Sequence, residues 1–336
     1  MADIESQVKE LGCGISDEEI NSHANLMLVC HACHRTIDQD EAGVKYTPEL
    51  LRRWKADHER RVELATAIDP NKKSHVVLYG ANVGDQSSPL SYGSTAGALL
   101  YDRYPADDRA IELGMINSSW RDDDPDFWRA EQQHLYRLYE QRIAERLDSR
   151  EIEHISLFAF APQPLLVFLG TLLTDIPACE VFQLLKEPKG WHWQAHEHPL
   201  GLTLQRPASL TGPPALVLAL SGTIVDERIR VAMNNDVSIW RVTVPRPHND
   251  LLRSREQLAE FRQFIRPAMD DIKATHGQTA LLHIFPATPI AVAVELGRIR
   301  QPKADLRWRV YDQVNKLGGF VPAIDIPKEM RNVWTA

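Results

Sequence analysis

Cys30 and Cys33 stand two residues apart and run directly into His34, in the string Cys30-His31-Ala32-Cys33-His34. Thiolate and imidazole at this spacing are ligands for a borderline-soft cation. In a chain of 336 residues with only four cysteines the pair suggests metal binding rather than a disulfide framework. Structural zinc takes four protein ligands, and the only cysteine upstream is Cys13. The predicted set is therefore Cys30, Cys33 and Cys13, with His23 as the candidate fourth ligand. The competing reading makes Cys30 and Cys33 small buried residues. A redox dithiol is weaker still, because the pair does not open the helix of a βαβ unit.

A second group is Trp191-His192-Trp193, which follows Lys186 and Lys189. Aromatic rings beside lysines suit a stacked nucleobase and its phosphate. The alternative, which the sequence favours, is that the tryptophans close the edge of a core. Gly80 to Ser94 is rich in glycine and serine, so its backbone could approach a phosphate or a base. It lacks the lysine of a P-loop.

The elements that must position these groups announce themselves by repetition. Ile155 to Phe160 is an apolar strand-like run that passes through Ala161-Pro162-Gln163-Pro164 into the helix-like Leu165 to Leu169 and ends at Gly170. Roughly 125 residues later, Ala280 to Phe285 passes through Pro286-Ala287-Thr288-Pro289 into Ile290 to Leu296 and ends at Gly297. A buried parallel strand hands over to its helix in this way, so two α/β half-domains are expected. Thr288 is the predicted cap of the second helix, with Pro289 in its first turn. Ligands of such sheets bind beyond the carboxyl ends of the strands, and two such ends facing one another would form one composite pocket. The bland alternative is a pair of ordinary core units without a ligand.

Around the repeat, strands are expected at His75–Tyr79, at Cys179–Leu185, at Ala215–Leu220, at Val237–Val244 and, last, at Arg307–Tyr311. Thr47, Pro48 and Glu49 open a helix through Leu50, Leu51, Trp54, His58 and Val62. A second amphipathic helix carries Trp128, Leu135, Leu138, Ile143 and Leu147. Ser254 and Gln257 form a capping box for a third, which Pro267 should kink or break. The polar stretch Ala67 to Ser74 marks a boundary between an N-terminal unit and the α/β region.

No apolar run approaches a membrane span and no secretory signal opens the chain, which predicts a cytoplasmic protein without membrane association. A net charge of −8 argues against one large nucleic-acid-binding surface. Local phosphate contact stays open through Arg52, Arg53, Lys55, Arg60 and Arg61, which otherwise form a solvated face.

Asn25-Leu-Met-Leu-Val-Cys30-His-Ala-Cys33-His34, followed by Tyr46-Thr-Pro-Glu-Leu-Leu-Arg-Arg-Trp-Lys-Ala-Asp-His58-Glu, resembles the second half of an HNH endonuclease domain. The resemblance implies a small ββα-metal module that cleaves double-stranded DNA with Mg²⁺ or Mn²⁺. His34 would be a ligand of the catalytic cation and Asn25 would brace the active-site loop. The family's base is the His of an Ala-His-Ile-like motif, and here Ala2-Asp3-Ile4 puts Asp3 in that place. Asp3 could hold a metal, but with a reference pKa near 3.9 rather than about 6.5 it is a weaker base. Either an upstream segment is missing or the nuclease is altered.

Residues 75 to about 325 resemble the SAVED domain, a fusion of two CARF-like Rossmann-type halves, on the strength of Phe160-Ala-Pro-Gln-Pro-Leu-Leu with Leu169-Gly170, of Trp191-His-Trp193, and of His283-Ile-Phe-Pro-Ala-Thr-Pro289 through Leu296-Gly-Arg298 to Tyr311-Asp312. HNH followed by SAVED is an architecture of effectors in bacterial cyclic-oligonucleotide anti-phage signalling (CBASS). The resemblance implies a cyclic di- or trinucleotide as second messenger, ligand-promoted homo-oligomers and DNA cleavage on activation. A sensor carrying an inactive nuclease is the alternative.

The expected α/β organisation is thus an HNH-like module at 1–70 and a sensor at 71–330, with halves at about 75–205 and 210–325. Strand ends and proline turns should line the cleft between them. That position nominates Tyr79, Phe160, Gln163, Lys186, Trp191, Phe285 and Thr288 for ligand contact.

Overall fold

The computed structural model describes residues 2–3 (backbone), 22–40, 42–66, 68–69, 71–83, 88–100, 102–114, 124, 126–195, 198–234, 236–314 and 319–328. Packing divides the chain into Met1–Asp69 and Pro70–Ala336.

In the first unit β1 (Ala2–Asp3) and β2 (Leu26–Met27) pair antiparallel, with Asp3 opposite Leu26. Helices α1 (His31–Asp38) and α2 (Pro48–Thr66) follow. The expected start of α2 is observed: the Leu50 N–H donates to Thr47 Oγ1 at 3.3 Å, and Pro48 occupies the first turn, where a missing N–H costs nothing. Its apolar face is used only in part. Leu51 joins Met27 and Ile37 in a small core, while Trp54 and Val62 each remain 43% exposed.

The second unit holds two sheets. In chain order its elements are β3 (Lys73–Gly80), α3 (Tyr92–Ala96), β4 (Tyr104–Pro105), β5 (Ile111–Glu112), α4 (Phe127–Tyr139), β6 (Ile155–Phe160), α5 (Gln163–Leu173) and β7 (Cys179–Val181). Then come the short β8 (Leu185–Lys186) and β9 (Lys189–Gly190), β10 (Thr203–Gln205), β11 (Pro214–Ala219), α6 (Asp226–Ala232), β12 (Ser238–Thr243), α7 (Arg255–His276), β13 (Leu281–Ala287), α8 (Ile290–Arg298), β14 (Arg307–Val314) and β15 (Gly319–Ile326). The first sheet is parallel, with β3 flanked by β4 and β5 on one side and by β6 and then β7 on the other. The second runs β10-β12-β11-β13-β14-β15; its four central strands are parallel and both edges antiparallel.

Strand for strand, β5-β3-β6-β7 matches β12-β11-β13-β14, which is the duplication the repeat predicts. Near-continuous apolar strands such as Ile155–Phe160 and Pro214–Ala219 are buried on both faces, as parallel strands covered by helices must be.

Three expectations need correction. β10 belongs to the second half rather than closing the first, because Thr203 to Gln205 pair with Thr243 to Arg241. Arg307–Tyr311 is not the last strand: β15 returns antiparallel beside β14 and completes the sheet. Helix α7 runs unbroken through Pro267, since Phe261, Ile265, Met269 and Ile272 bury one continuous face and its start is fixed by the Ser254–Gln257 capping box.

Candidate functional site

The two repeated helices meet. A Cβ on Gly170 of α5 would lie 2.0 Å from the Val294 carbonyl oxygen, and one on Gly297 of α8 would lie 2.0 Å from that of Val167. Only glycine at both positions lets the backbones touch. The helices start alike, from Pro162 at φ −54°, ψ 145° and Pro289 at φ −55°, ψ 151°. Thr288 is therefore not the cap. It lies one residue earlier, and its hydroxyl donates to Gln163 Oε1 at 2.7 Å while Gln163 Nε2 donates to the Thr288 carbonyl at 2.9 Å.

The strand ends obey the same symmetry. The Ala81 N–H donates to the Phe160 carbonyl at 3.1 Å, and the Leu220 N–H to that of Ala287 at 2.9 Å. Phe160 thus corresponds to Ala287 and not to Phe285, two residues out of step with the sequence repeat. The next positions, Asn82 and Ser221, stand at equivalent places on the carboxyl edge. Neither was singled out from the sequence. The Ser221 Oγ is buried there and has no hydrogen-bond partner among the described residues.

Of the nominated ligand contacts, Gln163 and Thr288 are brought together at this seam, and Phe160 ends β6 half-exposed. Tyr79 and Phe285 have no exposed surface and Trp191 keeps 4%. Phe285 stacks on Tyr311 with centroids 4.3 Å apart, and Trp191 packs edge-on to Phe158 at 5.2 Å. Tyr79 and Phe285 are core side chains because inner strands bury both faces, and Trp191, just after β9, is one because it closes over Phe158 and Phe182. Trp193 donates from Nε1 to Glu180 at 2.9 Å, so the tryptophans close the core edge.

Lys186 is exposed on the β8–β9 hairpin, whose Lys186 and Glu187 N–H groups donate to the Asp250 carboxylate at 2.9 and 3.2 Å. Arg253 reaches the same hairpin through the Glu187 carbonyl at 2.8 Å. Sequence reasoning also gave no role to Arg298, although it ends the repeated helix. Its buried guanidinium donates to the carbonyls of Thr174, Pro177 and Cys179 at 3.0, 3.1 and 3.2 Å and to Glu295 at 2.8 Å.

Burial sets the protonation states nearby. In the first half the Tyr79 hydroxyl and Glu131 Oε2 are buried without a hydrogen-bond partner among the described residues, and the charge on Glu131 acts on the Tyr79 phenol. Loss of solvent pushes the Glu131 carboxyl up to about 7 and the Tyr79 phenol well above its usual value. In the second half, burial lowers His283 to about 4, where it hydrogen-bonds the Tyr311 hydroxyl at 2.9 Å.

In the N-terminal unit His34 Nδ1 pairs with Asp38 at 2.7 Å, and Asn25 is buried beside the β1–β2 ribbon. Cys30 and Cys33 are exposed at the start of α1, which removes the reading of them as small buried residues. The Cys33 N–H and thiol hold Cys30 below the ordinary thiol value, and Cys33 is raised in turn. Cys13 and the side chain of Asp3 lie outside the described residues, and His23 is exposed. Among the described residues no three His, Cys, Asp or Glu side chains gather around a metal position. Neither the proposed zinc set nor the catalytic set is complete within them. No described helix is long and apolar enough to cross a membrane.

A family model described as the SMODS-associated and fused to various effectors sensor domain, SAVED, matches residues 135–326, more than half of the chain. No curated protein sequence matches. Among solved structures, the Acinetobacter baumannii Cap4 SAVED/CARF-domain containing receptor with the cyclic trinucleotide 2'3'3'-cAAA is similar at a TM-score of 0.50 and 13% identity, over 92% of this chain and 64% of that one. A second structure of the Acinetobacter baumannii Cap4 SAVED/CARF-domain containing receptor gives 0.48 and 13% over 92% and 63%. The Moraxella osloensis Cap4 receptor gives 0.42 and 14% over 96% and 65%. The chain spans just under two thirds of the length of these receptors. At the 13% identity of the first, the likeness is one of fold.

Proposed function

Because the chain belongs to the SAVED sensor-domain family, we propose that its second unit binds a cyclic oligonucleotide, a cyclic trinucleotide first of all, in the cleft above the meeting point of α5 and α8. The observation that carries this reading is the reciprocal Gln163–Thr288 pair at the N-termini of two symmetry-related helices. Helix N-termini favour phosphate, and two of them side by side suit a ligand with repeated phosphates. The buried, unpartnered Ser221 Oγ at the carboxyl edge adds a polar group for the ligand to satisfy. Cap4 was solved with a cyclic trinucleotide, which makes 2'3'3'-cAAA and 3'3'3'-cAAA the first probes. Saturable heat on titration with either supports the reading. Absence of binding by every cyclic di- and trinucleotide would overturn it.

The effector we propose is the N-terminal unit, acting as an HNH-type DNA endonuclease of a CBASS system when the sensor is occupied. An antiparallel ribbon followed by a helix that carries His34, with Asn25 beside the ribbon, supports this assignment. A divalent cation, Mg²⁺ or Mn²⁺, held by His34 and Asp3 would supply charge neutralisation at the scissile phosphate. Asp38 orients the His34 ring through Nδ1, leaving Nε2 as the free ring nitrogen.

Asp3 in place of a base His favours a second reading, in which the sensor works and the nuclease does not. Plasmid digestion with Mg²⁺ or Mn²⁺ and ligand decides between them. Cleavage lost in His34→Ala supports the enzyme, and intact plasmid under every condition leaves the sensor alone. Homo-oligomerisation on ligand binding is expected with either reading and is read by light scattering.

A further inference from the structure

The C-terminal end of α5 and the loop that follows α8 border a cavity of about 430 Å³ that the reading above leaves unused. That size lies within the range of small-molecule sites. It is separated from the Gln163–Thr288 seam by the 11 residues of α5, about 16 Å of helix. Its floor is aromatic, from Tyr136 and Tyr139 of α4. The charged lining consists of Lys303 and Lys328 together with Glu140 and Asp148. Lys303, Glu140 and Asp148 form no hydrogen bond or ion pair among the described residues, and Lys328 makes only a long contact of 3.4 Å to the Gln278 carbonyl. Two cations and two carboxylates around an apolar floor, hardly used within the chain, match a ligand that has both acidic and hydrogen-bond-donating parts.

Two features of the backbone set this wall apart. Helix α4 continues through a π turn at Glu140–Ala144, a rare geometry that gathers at functional sites. Thr174, also in the lining, sits at φ 57°, ψ −176°, a region that only glycine enters readily. A β-branched residue stays there because other groups hold it, here Arg298 Nε on its carbonyl at 3.0 Å. The cavity wall is thereby tied to α8.

A third feature lies behind the lysines. Arg300 is 3% exposed and donates to the Pro327 carbonyl at 2.7 Å, next to Lys328. Its Nε and Nη1, and the Nε1 of Trp308 beneath it, have no acceptor among the described residues. Arg300 fixes the backbone beside Lys328 through the Pro327 carbonyl.

We propose that this cavity is a second ligand site, made for a single nucleotide unit: a planar ring against Tyr136 and Tyr139, ring amino groups toward Glu140 and Asp148, and a phosphate toward Lys303 and Lys328. The volume holds one such unit rather than a ring of three. The assignment is independent of the cleft.

Calorimetric titration of the full chain with ADP tests it, with pyrophosphate and a cyclic trinucleotide as the other arms. ADP is expected to bind once per chain and more tightly than pyrophosphate. Lys303→Ala with Lys328→Ala should weaken it about tenfold or more. Tyr136→Ala should weaken ADP and spare pyrophosphate. No ADP binding at millimolar concentration, binding that ignores the double lysine change, pyrophosphate binding as tight as that of ADP, or displacement of ADP by the cyclic trinucleotide would each overturn the proposal. A chain that binds ADP but no cyclic oligonucleotide would keep this site and lose the cleft.

Discussion

Gln163 and Thr288, 125 residues apart in sequence, hold each other through two hydrogen bonds where two matching helices begin: the Gln163 amide accepts from the Thr288 hydroxyl and donates to the Thr288 main-chain carbonyl. This contact locks one end of the seam between the halves, and the Gly170–Gly297 crossing locks it again toward the C-terminal ends of the two helices. Sliding of one half along the other is therefore blocked. A ligand that acts through this seam must rotate the halves about it or break the pair, because it can shift the protein only as far as it binds the two arrangements differently.

Gln163→Ala leaves the Thr288 hydroxyl and carbonyl unpaired at a site where Thr288 is only 4% exposed. The expected loss is about 1–3 kcal/mol of stability, read as a lower urea midpoint with an unchanged m-value. Thr288→Val should cost less, because Gln163 is half-exposed and water can replace the hydroxyl. Equal losses would show that the two bonds do not act as described.

Gly170→Ala and Gly297→Ala reverse the usual rule. Alanine in a helix interior ordinarily gains about 0.5–1 kcal/mol over glycine. Here each new methyl meets a carbonyl oxygen at 2.0 Å, so the helices must part. A net loss above about 2 kcal/mol is expected, or failure to fold. A stabilised variant would refute the close crossing.

Stability should respond to pH in two opposite ways. His283 is lowered from 6.5 to about 4, so the unfolded chain takes up its proton first and stability falls as pH drops from about 6.5 toward 4. The effect reaches about 3 kcal/mol at most. Glu131 is raised from 4.5 to about 7, so its contribution is complete below pH 4.5 and is lost as pH climbs through 7. In urea titrations across pH, His283→Gln should flatten the acid limb and Glu131→Gln the neutral limb. Unchanged limbs in these variants would assign the slopes to other groups.

Arg298→Ala removes four hydrogen bonds at once, taking a donor from three carbonyls and leaving Glu295 with only the 3.4 Å ion pair to Arg262. A loss of about 3–5 kcal/mol is expected, with Arg298→Lys recovering little because one ammonium cannot span the set. The thermal midpoint measures both.

Period and punctuation in the sequence determined the local elements. The apolar runs at Ile155–Phe160 and Ala215–Leu220, the Thr47-Pro48 start and the Ser254–Gln257 box each appear as read, because they rest on neighbours within one turn or one strand. The duplication was legible for the same reason. Only the tertiary structure decided its register. Sequence matching paired Phe160 with Phe285, whereas hydrogen bonding across the sheets pairs Phe160 with Ala287. That shift of two residues explains why Phe285 is packed against Tyr311 and why Thr288 faces Gln163 instead of capping its helix. Tyr79 and Trp191 were misplaced similarly: composition shows that a ring could stack on a ligand, but only packing across both sheet faces shows whether any of it is left uncovered. Strand register, helix crossing and burial are settled by contacts between residues far apart in the chain, and no local pattern carries them.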